Sequence, residues 1–260
     1  MKPSIFITGA AAGIGRATAE LFASRGWFVG VYDVNEAGVQ QLRTALGEGN
    51  AIAGKLDVTD AAAFERALAQ FWEAAGKRLD VMFNNAGIVA VGDFDTLPLP
   101  RQHAIVDVNF KGVVNGAYAA FKYLKQTHGS TMISMSSASA VYGSPAFATY
   151  SATKFAVKGL TEALDIEWHR YGITVRDLLP LFVDTPMVAQ FEQKPKSMDR
   201  LGMNLRAPDI AACVWRAVHW PRWWPRVHWY PSVQSWFLAL SNKLAPGWFT
   251  RLTTRLITGY

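Results

Sequence analysis

The chain has 260 residues, half of them hydrophobic, a formal net charge of +6 and one cysteine, Cys213. That is enough chain to bury one sizeable core. The lack of any eighteen-residue apolar run excludes a spanning helix, and a lone cysteine excludes an internal disulfide and points to a reducing, cytoplasmic compartment.

The first element, "SIFITGA" (Ser4–Ala10), reads as a buried strand running into a glycine loop, which leaves no room ahead of it for a targeting peptide. The loop "TGAAAGIG" (Thr8–Gly15) leads into a helical stretch, "RATAELFASRG". Gly9, Gly13 and Gly15 let the backbone turn tightly and approach a diphosphate, and the helix behind them offers that anion free N–H groups and a positive dipole end. Thr8 and Ile14 complete the loop as candidate contacts. The second strand, "WFVGVYDV", closes on Asp33, eighteen residues after Gly15. A carboxylate there accepts hydrogen bonds from both ribose hydroxyls of an adenosine and repels a 2′-phosphate. Ala12 stands where a basic residue would favour the phosphorylated cofactor. Both features select NAD over NADP.

Further strand-like runs follow: "AIAGKLDV", "LDVMFNNAG", "TMISMSS" and "ITVRDLLP", separated by helical patterns such as "AAAFERALAQFWEAAG". The alternation predicts an α/β fold, with one doubly wound domain whose parallel sheet carries helices on both faces. A helix opening at Pro208 and a last strand near "RVHWY" precede two short helices, "SVQSWFLALSNKL" and "GWFTRLTTRLI". The reading divides the chain into residues 1–230 and a helical, tryptophan-rich extension, 231–260.

Within the first part lies "SSASAVYGSPAFATYSATK" (Ser136–Lys154). A free phenol has a pKa of about 10, too high for a base at neutral pH. Lys154 lies one helical turn after Tyr150, on the same face, and an ammonium there is expected to lower the phenol. The pair forms a general acid/base with its own tuner. An upstream serine hydroxyl is expected to hold a substrate oxygen as charge develops on it.

With T-G-x-x-x-G-x-G at Thr8–Gly15, Asp57-Val58, "NNAG" at Asn84–Gly87, "VNFKG" with Asn109, and "YSATK" at Tyr150–Lys154, the sequence resembles the short-chain dehydrogenase/reductase family over about residues 4–190. The resemblance implies a single Rossmann-type domain with seven parallel strands, assembled as a homodimer or homotetramer. It implies Tyr150 as acid/base, Lys154 as the residue that lowers its pKa and holds the nicotinamide ribose, and Asn109 as the residue that orders a relay water. Of Ser134, Ser136, Ser137 and Ser139, the family's spacing selects Ser137, with Ser136 second. Asp57 and Val58 match the adenine contacts, Asn85 the residue beside the adenosine ribose, and Val183 and Thr185 the flank of the nicotinamide. Leu181 replaces the glycine that usually follows Pro180. The implied reaction is hydride transfer between the cofactor and a carbinol or carbonyl carbon. The rival reading is a non-catalytic NAD sensor or scaffold. A nucleotide-sugar epimerase or dehydratase is disfavoured by the short chain and the glycine spacing, and no metal site is expected.

The residues expected to line a substrate pocket, Val141, Tyr142, Phe147, Leu181, Phe182, Met187 and Phe191, are almost all apolar, with no cation to clamp a carboxylate or phosphate. This predicts a small lipophilic substrate, an alcohol or ketone of steroid, retinoid, terpenoid or long-chain type. The charge is uneven along the chain: residues 1–200 hold 19 Lys/Arg against 19 Asp/Glu, whereas residues 201–260 hold seven Lys/Arg against Asp209 alone and seven of the ten tryptophans. In the last helix Phe249, Leu252 and Leu256 share a face, and Arg251 and Arg255 lie on another. This suits peripheral contact with an anionic membrane, packing on another subunit, or cover for the substrate cleft. Nucleic-acid binding is not expected, because no recognition module accompanies the cations.

Overall fold

Runs of β-branched and aromatic residues, buried on both faces, build the centre of the molecule. The computed structural model describes residues 2–47, 49–191 and 194–260. Its strands are β1 (Ser4–Thr8), β2 (Phe28–Asp33), β3 (Ala51–Lys55), β4 (Val81–Asn84), β5 (Thr131–Met135), β6 (Thr174–Leu178), β7 (Val183–Asp184), β8 (Leu205–Arg206) and β9 (His228–Trp229). Seven of them pair side by side in the order β3-β2-β1-β4-β5-β6-β9, every pair parallel. The seven-stranded doubly wound sheet expected from the sequence is therefore present, and β9 falls within "RVHWY".

The helices are α1 (Gly13–Ser24), α2 (Glu36–Leu46), α3 (Ala61–Ala74), α4 (Leu99–Val106), α5 (Gly112–Leu124), α6 (Ala148–His169), α7 (Pro186–Ala189), α8 (Lys196–Leu201), α9 (Ala207–Val218), α10 (Val233–Leu244) and α11 (Gly247–Thr258). Side chains alternate across a strand, so Ile5 and Ile7 of β1 join Phe22, Leu42 and Val214 in a core under α1, α2 and α9. Phe6, between them in sequence, joins Phe64, Phe71, Ala120 and Trp168 under α3, α5 and α6. Pro208 sits in the first turn of α9, as expected.

Strand order reverses between β1 and β4, and in such sheets the crevice at the carboxyl ends of the strands on either side receives ligands. The loops after β1, β4 and β5 all open there. A second feature was not foreseen: β7 and β8 form a separate two-stranded parallel ribbon, Val183 beside Leu205 and Asp184 beside Arg206. It ties the segment after β6 to the entry of α9.

Candidate active site

The glycine loop forms a cradle shaped by missing side chains. Gly9 adopts φ +67°, and a Cβ on it would come within 2.8 Å of the Ala86 Cα. A Cβ on Gly15 would run into the Gly9 carbonyl and the Asn85 amide. The first turn of α1 has no side-chain cap, since Ala12 occupies the cap position, so its N–H groups remain available to an anion. At the end of β2, Asp33 accepts the Ala11 N–H at 3.1 Å and the Asn35 N–H at 2.9 Å, which fixes its carboxylate beside the loop. A Cβ-free cradle, an uncapped helix and a fixed carboxylate together fit a dinucleotide.

Other predicted contacts sit at different depths. Gly9, Gly13, Ile14, Asp33, Asn85, Val183 and Thr185 all line one cavity of about 360 Å³. Thr8 does not line it. Its hydroxyl accepts the N–H groups of Asn85 and Ala86, both at 3.1 Å, and so positions the β4 loop. Asn85 reinforces the join by donating to the carbonyls of Thr8 and Gly9. Gly15 is buried beneath the cradle. Asp57 is exposed and accepts from Thr59, while Val58 is buried against Gly112, and neither forms part of the cavity wall.

Tyr150 and Lys154 lie one turn apart on α6 and both face this cavity. Ser137 faces the Tyr150 phenol, and its oxygen also accepts the Ser139 N–H at 3.1 Å. Ser136 reaches the cavity too, but its hydroxyl donates to the Lys154 carbonyl at 3.1 Å. Ser134 is buried and does not line it. Asn109 is fully buried in a π-helical turn, Asp107–Lys111. Its amide holds both the N–H and the carbonyl of Ile88 at 2.8 Å. Asn109 therefore fixes the wall from behind.

The electrostatics depart from the sequence expectation. Burial holds the Tyr150 phenol above its ordinary value, and the Ser137 hydroxyl pulls it the other way. Burial pushes Lys154 down to about 8. Its Nζ donates to the Met135 carbonyl at 2.8 Å and lies 5.5 Å from the centre of the Tyr150 ring. The lowering of the phenol expected from the ammonium does not emerge from this geometry, in which burial is the larger influence on Tyr150. Lys154 is committed to a backbone carbonyl, and desolvation dominates at Tyr150.

Beyond the tyrosine the cavity is apolar, lined by Tyr142, Phe147, Leu181, Phe182, Met187 and Phe191 as expected. Val141 is a correction: it is not part of the wall, and its carbonyl instead accepts the Asn242 amide of α10 at 2.9 Å. The sequence reading missed Ser197 and Leu201 of α8, Leu238 of α10, and Thr254, Ile257 and Thr258 of α11, which also line the cavity. The spacing Thr250, Thr254, Thr258 was the available signal, a polar stripe along one side of a helix.

The sequence matches the short chain dehydrogenase family over residues 3–196. The chain belongs to that family. The 3-oxoacyl-(acyl-carrier-protein) reductase FabG of Thermotoga maritima is 31% identical to it over 195 residues, 73% of this chain and 78% of that protein. Cyclohexanol dehydrogenase of an Acinetobacter species is 30% identical over 214 residues, 79% of this chain and 84% of that protein. The crystal structure of 3-ketoacyl-(acyl-carrier-protein) reductase from Brucella melitensis complexed with NADH is 26% identical, with a TM-score of 0.80 over 88% of this chain and 96% of that one. As a short-chain dehydrogenase the protein is an oxidoreductase that uses a nicotinamide cofactor. Among the described residues, no helix is long and apolar enough to cross a membrane.

Proposed function

We propose that the protein is an NAD-linked dehydrogenase or reductase acting on a lipophilic secondary alcohol or ketone. One observation carries the reading: Ser137, Tyr150 and Lys154 meet at the wall of a single cavity, with the glycine cradle on one side and apolar side chains on the other. The cofactor supplies the hydride. Asp33 favours the unphosphorylated adenosine ribose, because a 2′-phosphate beside a fixed carboxylate is repelled. Gly9, Gly13, Ile14 and the α1 N-terminus hold the diphosphate, with Asn85, Val183 and Thr185 along the remaining walls. Asp57 and Val58 mark the adenine end.

Within the site, Tyr150 moves the proton. A phenol that burial keeps protonated is suited to donate to a substrate oxygen as negative charge builds on it, the direction of ketone reduction. Ser137 donates a hydrogen bond to the same oxygen. Lys154, still largely charged at neutral pH, supplies the positive potential near the ribose, and Asn109 keeps the Ile88 wall and the relay path in register. Residues 1–230 hold the nucleotide and the chemistry, and residues 231–260 close the far end of the cavity. Val114 and Tyr118 of α5 and Phe155 and Ile166 of α6 are exposed and would supply apolar contacts to a homo-oligomer.

The test is a panel of lipophilic alcohols and ketones, with small sugars as controls, read by cofactor absorbance with all four nicotinamide forms. Tyr150→Phe should lower kcat by about 10²- to 10⁴-fold and leave cofactor affinity unchanged. Retained turnover in that variant removes the acid/base role. Preference for sugars removes the substrate class, and tighter NADP binding removes the cofactor assignment. Cofactor affinity without hydride transfer across the panel favours the non-catalytic sensor.

A further inference from the structure

The two C-terminal helices are turned inside out. On α11 the residues facing the protein are Thr250 and Thr258, both buried, with Thr254 and Ile257 on the cavity wall. The opposite side carries Trp248, Phe249, Leu252 and Leu256, all exposed, with Trp248 at 69% and Leu256 at 64%. α10 repeats the arrangement. Ser235 is fully buried, Asn242 bonds to the Val141 carbonyl and Leu238 lines the cavity. Val233, Trp236, Phe237 and Leu244 face outward, with Val233 at 81% and Leu244 at 74%. Trp236 also lines a shallow surface cavity with Trp224, which joins α10 to the exposed Trp223-Trp224 loop. A lid in contact with water would carry its polar side outward. Here hydroxyls and an amide face the protein beside Leu238 and Ile257, and the outward side is mostly apolar with cations at its edges.

Charge decides what covers this surface. Residues 201–260 hold seven Lys/Arg against one acid. Lys243 on the outward side of α10 and Arg251 on the flank of the α11 apolar stripe are both exposed. A second copy would meet the patch through a two-fold axis and oppose like charges. Tryptophans and aliphatic side chains bordered by cations match the boundary between acyl chains and negatively charged headgroups. We infer that the outward face of α10 and α11 docks on an anionic lipid membrane surface. Docking would leave the cavity about one helix diameter, roughly 10 Å, from the bilayer. The inference stands without the substrate reading, since its evidence lies on the outside of the helices.

The experiment is flotation of the full chain with vesicles of phosphatidylcholine alone and of phosphatidylcholine mixed with phosphatidylglycerol. Binding should appear with the mixed vesicles and weaken as salt is raised. Lys243→Gln with Arg251→Gln should weaken it by about fivefold per cation removed. Trp248→Ser with Phe249→Ser should weaken it at least as much, with cofactor binding unchanged as the check that each variant is folded. The inference is overturned if the chain ignores mixed vesicles, or if it binds neutral and anionic vesicles alike and neither variant pair matters. It is also overturned if the Trp248/Phe249 pair changes only the subunit number in light scattering, because a second copy then covers the face.

Discussion

Helices α9 and α11 are both amphipathic, and they point their apolar sides in opposite directions. In α9, Ile210, Cys213, Val214 and Ala217 are all buried against α1 and the sheet. In α11, Phe249, Leu252 and Leu256 face away from the protein while threonines face the cavity. The difference lies in what each helix finds opposite it. The body of the chain offers α9 an unfilled sheet face. The cavity end offers α11 a space whose apolar walls, Leu181, Phe182 and Phe191, are already in place. Periodicity states that a helix has an apolar side. It does not state which surface will cover that side. The family match ends at residue 196, before either helix begins.

The seam between the two regions offers the largest effect. His228 of β9 bonds through Nδ1 to Asp177 at 2.8 Å and through Nε2 to Glu162 at 2.9 Å, and Asp177 is fully buried. Removing the imidazole leaves a buried carboxylate without its partner, so His228→Ala should cost about 3 kcal/mol of stability, measured as a shift in the urea midpoint. Burial works against a charged ring, but the hydrogen bond and charge of Asp177, with the charge of Glu162, outweigh it and raise His228 above its ordinary value. The folded chain then binds this proton more tightly than the unfolded chain. That stabilisation is complete below about pH 6.5 and is lost as pH rises through the raised value. A midpoint that stays flat over this window, or a variant as stable as the wild type, would show that the bonds of His228 to Asp177 and Glu162 do not hold β9 in place.

The legible parts of the fold and site were those set by near neighbours in sequence. The glycine cradle, Asp33 at a strand end and the Tyr150–Lys154 pair are local patterns. The structure places all three on one cavity. The state of the phenol was not legible, because burial is a sum over distant elements and Lys154 found the Met135 carbonyl. The β7–β8 ribbon was invisible because two residues per strand leave no alternation to read. Val141 looked like pocket wall from its neighbours, yet the chain turns it toward α10. The helical span of α11 was readable, whereas its cavity-facing threonine stripe requires knowing where α8 and β6 end.

A smaller effect tests the cavity side of α11. Ile257 lines the cavity, so Ile257→Trp fills its far end without touching Tyr150 or Lys154. KM for bulky lipophilic alcohols should rise about tenfold, corresponding to about 1.4 kcal/mol, while kcat/KM for a small cyclic alcohol stays unchanged. Equal losses on both substrates would mean that the change distorts the catalytic end. No loss on either would mean that substrate does not reach α11, and the two faces of the helix would then no longer serve one site.

The smallest effect concerns how firmly the C-terminal helices are held. Asn242 donates to the Val141 carbonyl, and this bond links α10 to the turn that follows Ser137. Asn242→Ala should cost about 1 kcal/mol, the worth of one neutral hydrogen bond. Most of that loss should be local. α10 exposes much of its apolar side, so it belongs to the part of the molecule that opens without global unfolding. Amide exchange in α10 should therefore quicken by several-fold, while exchange in β1 and β4, buried along their whole length, stays as it was. Faster exchange in both regions would make α10 part of the cooperative core and erase the contrast with α9. Unchanged exchange in both would mean that the cavity contacts of Leu238 and Ile257, rather than this bond, hold the roof in place.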